Sequence, residues 1–368
     1  MKKILFITNG HGEDAVAARI ISHLDLKHVS VDVLPVVGSA EAFKDLKVNV
    51  IGPRKVLPGG GFGLRNYSYL LRDIFSGLIG KVIKQVQALR NKRWGYSVVV
   101  GVGDIVPIVY SMITGCKFIF VGVNKSEYYR KLAFNYTGLE KKLLRRYCRL
   151  TLARDKKTAD SLKNIGINAK YVGNPMMDAV QTIRASEYQK IRKGRKKVIG
   201  FLPGTREDAY KNIEDFYKIA WQIDQLDKSI KFIMSFPRTL NKHRLAKINK
   251  PIDMPMISDF NNVLKSSDLI IGMSGTGNEQ AAGVGLPVIA FPGRGAQFNN
   301  RFASGQKQLL GDALLLLPRN SRVIAHEAVS LIYNRKRMAK MGKAGRYRMG
   351  KPGASEHIAK IIMEDILR

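Results

Sequence analysis

Two glycine-bearing turns, each between an apolar run and a helical run, constrain this chain more than any other feature. Val198–Glu207 reads VIGFLPGTRE and Asp268–Gly293 reads DLIIGMSGTGNEQAAGVGLPVIAFPG. Each begins as an apolar strand, breaks at Gly with Thr or Ser, and restarts as a helix. Such a turn aims backbone N–H groups and the positive end of a helix dipole at one point beyond the strand end, where anions bind. A single turn of this kind is common in α/β proteins. Two in one half of a chain, the first with Arg206 and the second followed by Glu279, fit a nucleotide-diphosphate site.

The rest of the chain repeats the same strand–helix alternation. Strands are predicted at Lys3–Thr8, Val29–Pro35, Ser97–Gly101, Phe118–Val121 and Leu150–Ala153, and again from Val198 onward. Helices are predicted between them, at Ala15–His23, Lys156–Asn164, Asn212–Leu226 and Glu279–Gly283 among others. Alternation of this kind implies parallel, doubly wound sheets. A length of 368 residues exceeds one ordinary core. The polar, lysine-rich stretch Tyr188–Lys197 places a boundary between a domain of residues 1–180 and one of residues 195–354. The apolar stretch Tyr96–Val123 is cut by Gly101, Gly103, Asp104, Pro107 and Gly115, so it reads as strand–helix–strand rather than as a membrane span.

Cys116 and Cys148 are the only cysteines, with no metal-ligand spacing, which points to a reducing cytoplasm. The apolar run after Met1 is too short for a signal peptide and reads as the first strand. Net charge is 62 − 29 = +33, and it is concentrated in three places. Phe62–Arg93 carries seven basic residues against Asp73 alone, interleaved with an apolar and aromatic stripe. That pattern suits either ordinary core packing or an interfacial helix on anionic lipid. Lys125–Lys157 carries eleven basic residues against three acids, and Arg335–Lys351 carries eight and no acid; the latter reads as a solvated helix face. Nucleic acid is the competing anion, disfavoured because no recognition motif accompanies the charge.

The turn after the first strand, TNGHGEDAVAARI, approximates a dinucleotide glycine pattern, yet Asp32 sits inside a strand and no acid follows at the required distance. The turn instead presents His11, Gly12, Glu13 and Asp14 at a strand end, where a His or carboxylate can act as general base or merely complement the helix dipole. Asp104 is a second candidate, since a lone carboxylate in so apolar a run is costly to bury unless it lies at the strand end.

Taken in order, Gly10–Asp14, VVVGVGDIVP, YVGNPMMD (Tyr171–Asp178), FLPGTRE and SGTGNEQAAGVGLPVIAF resemble the lipid-A-disaccharide synthase family of GT-B glycosyltransferases. The resemblance implies two Rossmann-like domains facing a central cleft, with the last helix, about residues 355–368, packing back on the first domain. It also implies inverting transfer of an N-acetylglucosamine-type sugar from a UDP-sugar to a lipid-linked acceptor, without metal or cofactor. The donor site then comprises Gly204, Thr205, Arg206, Ser235, Ser274, Gly275, Thr276, Gly277, Glu279 or Gln280, Gln297 and Asn300, with Gly12 beside the acceptor and the base drawn from Asp104, His11 and Glu13. The chain departs from the family where Glu279 lies five rather than six residues after Ser274, and where His11 occupies the first turn.

Two other readings stand beside this one. An enzyme like UDP-N-acetylglucosamine 2-epimerase would share the architecture and need no lipid. A non-enzymatic basic protein binding membrane or nucleic acid would not depend on Arg206 or Glu279. The predicted location is cytoplasmic, peripheral on the inner face of the membrane.

Overall fold

The computed structural model describes residues 1–37, 40–53, 78–92, 95–130, 134–180, 197–205, 207–236 and 240–367. Arg206, most of the basic stretch Phe62–Arg93 and nearly all of Tyr188–Lys197 lie outside the described residues, as does the side chain of His11. The chain forms two compact units, Met1–Asp178 together with Gly353–Arg368, and Ala179–Pro352.

Among the described residues, the first unit has seven strands: β1 (Lys2–Thr8), β2 (Val29–Pro35), β3 (Asn49–Val50), β4 (Val98–Val102), β5 (Phe118–Gly122), β6 (Cys148–Ala153) and β7 (Ala169–Lys170). Their order is β3-β2-β1-β4-β5-β6-β7, and the paired strands run parallel. Because side chains alternate along a strand, β1 feeds two cores. Ile4 and Phe6 pack with the helix His11–Ser22, whereas Leu5 and Ile7 pack with Leu89, Ile108, Tyr136, Leu144 and Leu162 on the opposite face. The final helix, Ala354–Leu367, delivers Ile358, Ile362 and Ile366 to the first of these cores. Asp178 accepts hydrogen bonds from the backbone N–H groups of Gly353 and Ser355, both at 2.6 Å, where the chain re-enters this unit.

The helix Leu78–Lys92, the described part of the predicted amphipathic stretch, buries polar residues beside an apolar one and leaves apolar residues exposed. Lys81, Gln85 and Leu89 are buried, while Val82 and Ile83 are exposed. The buried amide is satisfied. Gln85 donates to the Val36 carbonyl at 3.0 Å and accepts from the Tyr110 hydroxyl at 2.9 Å. A polar group can be buried at little cost only with such partners.

The second unit carries β8 (Val198–Leu202), β9 (Lys231–Ser235), β10 (Met256–Ile257), β11 (Leu269–Gly272), β12 (Val288–Ala290) and β13 (Leu314–Leu316) in the order β10-β9-β8-β11-β12-β13, again parallel. Phe201 packs against Phe216 at 5.0 Å and Phe232 at 6.2 Å between ring centroids. In both sheets the strand order reverses beside the first strand of the unit, so the switch points fall between β1 and β4 and between β8 and β11. Ligands of open parallel sheets bind beyond the carboxyl ends of strands at such points.

Candidate functional site

In the second unit, both predicted turns leave the sheet at the switch point. Leu202 is in register with Gly272, and the Met273 N–H donates to the Leu202 carbonyl at 2.9 Å. The turn Pro203–Thr205 and the turn Met273–Gly277 therefore run side by side; a Cβ placed on Gly204 would stand 3.3 Å from the Met273 carbonyl oxygen. The second turn opens the helix Gly275–Gly283 with Ser274 as its cap, and the Ser274 hydroxyl accepts from the Gly277 N–H at 3.2 Å. The sequence places the start of this helix at Glu279; it begins four residues earlier, since the cap at Ser274 overrides the low helix propensity of Gly275 and Gly277.

That earlier start redistributes the roles. Gly277 spends its N–H on Ser274, which leaves Gly275 and Thr276 as the first-turn amides with no intrahelical acceptor. The first turn contains no acidic residue, so its positive end is uncompensated from within the helix. Glu279 and Gln280 sit in the second turn, each buried, rather than at the helix start.

A rigid polar strut backs the turn. Asn278 donates to the Gly272 carbonyl at 3.0 Å and to Gln306 Oε1 at 3.0 Å, and Gln306 donates to the Gly275 carbonyl at 2.7 Å. The two side chains are almost completely buried. Below the other turn, Asn212 donates to the Pro203 carbonyl at 2.9 Å. Sequence reasoning missed all three, because an Asn or Gln inside a helix shows no sign of what it braces until the sheet brings the turns together.

The remaining donor-side residues lie at neighbouring strand ends. Ser235 closes β9 and is buried. Gln297 and Asn300 are exposed on the loop and helix start after β12, where the Gln297 N–H donates to Asp208 Oδ2 at 2.8 Å and Asn299 caps the helix Asn300–Leu310. Glu207 pairs with Arg244, at 2.5 Å and 3.0 Å, and that guanidinium stacks 3.8 Å above the Tyr210 ring.

In the first unit the strand ends gather a carboxylate cluster. Glu13 follows β1, Asp104 follows β4, and Asn124 lies two residues beyond β5. Asn124 Nδ2 donates to Glu13 Oε1. Two glycines with positive φ, Gly10 at 149° and Gly103 at 137°, close in on the same side chain. A Cβ on Gly10 would stand 2.9 Å from Glu13 Oε2, and one on Gly103 would stand 3.2 Å from Glu13 Cγ. Only glycine gives this close approach together with that backbone conformation. Burial, with the nearby charges of Asp104 and Asp14 adding to it, pushes the Glu13 carboxyl up to about 7, against hydrogen bonds from its backbone and from Asn124.

Asp104 plays a different part. Its Oδ1 caps the helix Ile105–Ile113 through the Val106 N–H at 3.0 Å and accepts from Asn9. Asp14 is buried and accepts from the Thr8 hydroxyl. Gly12 is exposed beside Glu13. Of the three predicted bases, then, Glu13 has a carboxyl tuned toward neutrality, Asp104 is engaged as a cap, and the His11 side chain is outside the described residues. Asn9 and Asn124 were not read from the sequence, although a polar residue just past an apolar strand is the signal that would have found them.

The model of the family described as Lipid-A-disaccharide synthetase matches residues 159–291, a span that contains both turns of the second unit. Over those residues the chain is similar to the lipid-A-disaccharide synthase family. Solved structures carry the same architecture. MurG from Acinetobacter baumannii aligns with a TM-score of 0.63 at 14% identity, over 99% of this chain and 100% of that one. The calicheamicin glycosyltransferase aligns with a TM-score of 0.65 at 14% identity, over 100% and 99%. The UDP-GlcNAc 2-epimerase from Neisseria meningitidis bound to UDP-GlcNAc aligns with a TM-score of 0.63 at 14% identity, over 98% and 100%. No curated protein matches the chain in sequence. Among the described residues of this GT-B protein, no helix is long and apolar enough to cross a membrane, and no group of three or more His, Cys, Asp or Glu could hold a metal ion.

Proposed function

We propose that this protein is a glycosyltransferase that takes an N-acetylhexosamine-type sugar from a UDP-sugar and transfers it, with inversion, to a hydroxyl of a lipid-linked acceptor. The reading is carried by the pair of adjoining turns at the β8/β11 switch point, which offer the Gly275 and Thr276 amides to a diphosphate on a rigid strut. Solved relatives of the fold bound to UDP-GlcNAc support the choice of nucleotide.

The acceptor O–H bond breaks and its proton passes to Glu13. The oxygen forms a bond to the anomeric carbon from the face opposite the nucleotide, and the bond from that carbon to the diphosphate breaks with its electron pair leaving on UDP. Charge growing on the leaving phosphate is met by the first-turn amides, each worth about 2.7–4 kcal/mol in comparable oxyanion sites. A base near neutrality suits the step, because it is ionised at working pH yet still takes a proton in the transition state. No metal is required by this scheme.

A lipid acceptor is favoured by the exposed apolar surface of the first unit. Val82, Ile83 and Val109 are 36%, 51% and 41% exposed, and Lys84 and Arg90 are exposed on the same helix as the first two. Apolar residues among cations suit contact with an anionic bilayer surface from the cytoplasmic side.

The test is UDP release from UDP-N-acetylglucosamine with and without a detergent-dispersed extract of anionic glycolipid. Release that requires the extract supports the reading. Conversion of the sugar nucleotide in plain buffer, with its C2 configuration changed, would establish the epimerase reading, which the solved epimerases of this fold keep in view.

A further inference from the structure

The turn after β5 is anchored far more firmly than a surface turn needs to be. Lys125, next to Asn124, is buried and donates to Glu140 Oε2 at 3.1 Å and to the Asn135 carbonyl at 3.1 Å. Ser126 donates to buried Asp155 at 2.7 Å, and Arg154 donates to the Val123 carbonyl at 3.0 Å. Every residue flanking Asn124 is thus tied down, and the Asn124 amide is delivered to Glu13 from a fixed backbone.

We propose that Asn124 is a positioning residue for the transfer reaction: its amide pins Glu13 Oε1 between Gly10 and Gly103 and leaves Oε2 to receive the acceptor proton. The proposal rests on Glu13 being the base. An untethered glutamate at this site would lose two things, the direction of its proton-accepting oxygen and a hydrogen bond that favours its ionised form. Among the described residues, three groups face Glu13. Asp14 approaches from its own helix, Asp104 from the turn after β4, and the Asn124 amide from the turn after β5. Lys125 points away into its pair with Glu140.

Two variants test this without depending on knowledge of the acceptor. In Asn124→Ala the carboxylate loses its donor, and in Asn124→Asp it meets a like charge in a side chain of the same shape. The direct readout is the titration of the Glu13 side-chain carbon by NMR in the full chain labelled at Glu, assigned by its disappearance in Glu13→Gln. The midpoint is expected to rise by about one pH unit in Asn124→Ala and by more in Asn124→Asp, since one hydrogen bond to a charged group is worth about 1.5–3 kcal/mol. The acid limb of the pH profile of kcat/KM should move upward by the same amount, with activity recovering at high pH. A residue that only held the fold would lower kcat at every pH and leave the midpoint in place. An unchanged Glu13 midpoint in both folded variants overturns the role of Asn124. Full transfer activity in Glu13→Gln would overturn the base assignment instead, whatever the titration shows.

Discussion

Asn9 Nδ2 lies 3.0 Å from Asp104 Oδ1, which joins the turn after β1 to the turn after β4 across the switch point of the first sheet. The bond holds the Asp104 charge beside Glu13, where it adds to that carboxyl's affinity for a proton. Asp104→Asn keeps an oxygen for the Val106 N–H and removes the charge. The acid limb of kcat/KM should therefore shift to lower pH, by roughly half a unit to one unit. A loss of activity beyond about a thousandfold at every pH would instead make Asp104 the base.

Glu13→Gln should lower kcat by about 10²–10⁴-fold while leaving donor binding intact, as judged by calorimetry with UDP. The same variant tests the tuning of the carboxyl. A folded-state value near 7 against 4.5 for the free group means that the native state holds the proton more tightly. The native protein then loses stability as pH rises from about 4.5 to 7 and stays penalised above that. Glu13→Gln has no such penalty. It should match the parent near pH 4.5 and exceed it by about 1–2 kcal/mol at pH 8 in urea unfolding, after discounting for partial exposure.

Gln306→Leu removes the link between the Asn278 amide and the Gly275 carbonyl. Buried groups left without partners cost about 1–3 kcal/mol. Beyond that loss of stability, the loosened turn should raise KM for the UDP-sugar several-fold and leave KM for the acceptor unchanged. Equal effects on both would argue against a donor-side turn.

The resemblance assigns a donor contact to Glu279 or Gln280, and both are buried in the second turn of their helix. If Glu279 accepts the ribose hydroxyls, Glu279→Gln should weaken UDP binding by roughly 10- to 100-fold, the range expected for hydrogen bonds to a charged group. A change of less than twofold, with Gln280→Ala giving the large effect, transfers the role to Gln280.

The exposed pair on the helix Leu78–Lys92 offers a test of membrane contact. Replacing Val82 and Ile83 by Asp should reduce co-sedimentation with anionic vesicles at moderate salt, because apolar burial and charge attraction are lost together. Binding that persists at the parent level would place the contact elsewhere on this basic chain.

Much of the architecture could be read from local pattern. The alternation of apolar strands with helical runs gave two parallel sheets, and the Gly-Thr and Ser-Gly turns stood out because few other residues serve there. The polarity of Leu78–Lys92 resisted the same reading. Periodicity shows that a helix has two faces, but only its neighbours decide which is buried, and here Val36 and Tyr110 satisfy Gln85. The pairing of Glu207 with Arg244 was equally invisible, since the two lie far apart in the chain and the helix Lys242–Ala246 brings the guanidinium in.

Residue chemistry and short-range order thus fixed the elements, the amide-bearing turns and the short roster of candidate acids and bases. Choosing among that roster fell to tertiary structure. Asn124 and Glu13 are 111 residues apart in the chain and meet because strand order sets β1, β4 and β5 side by side. Proton affinity depends on what surrounds a carboxylate in space, and no local pattern encodes that surrounding.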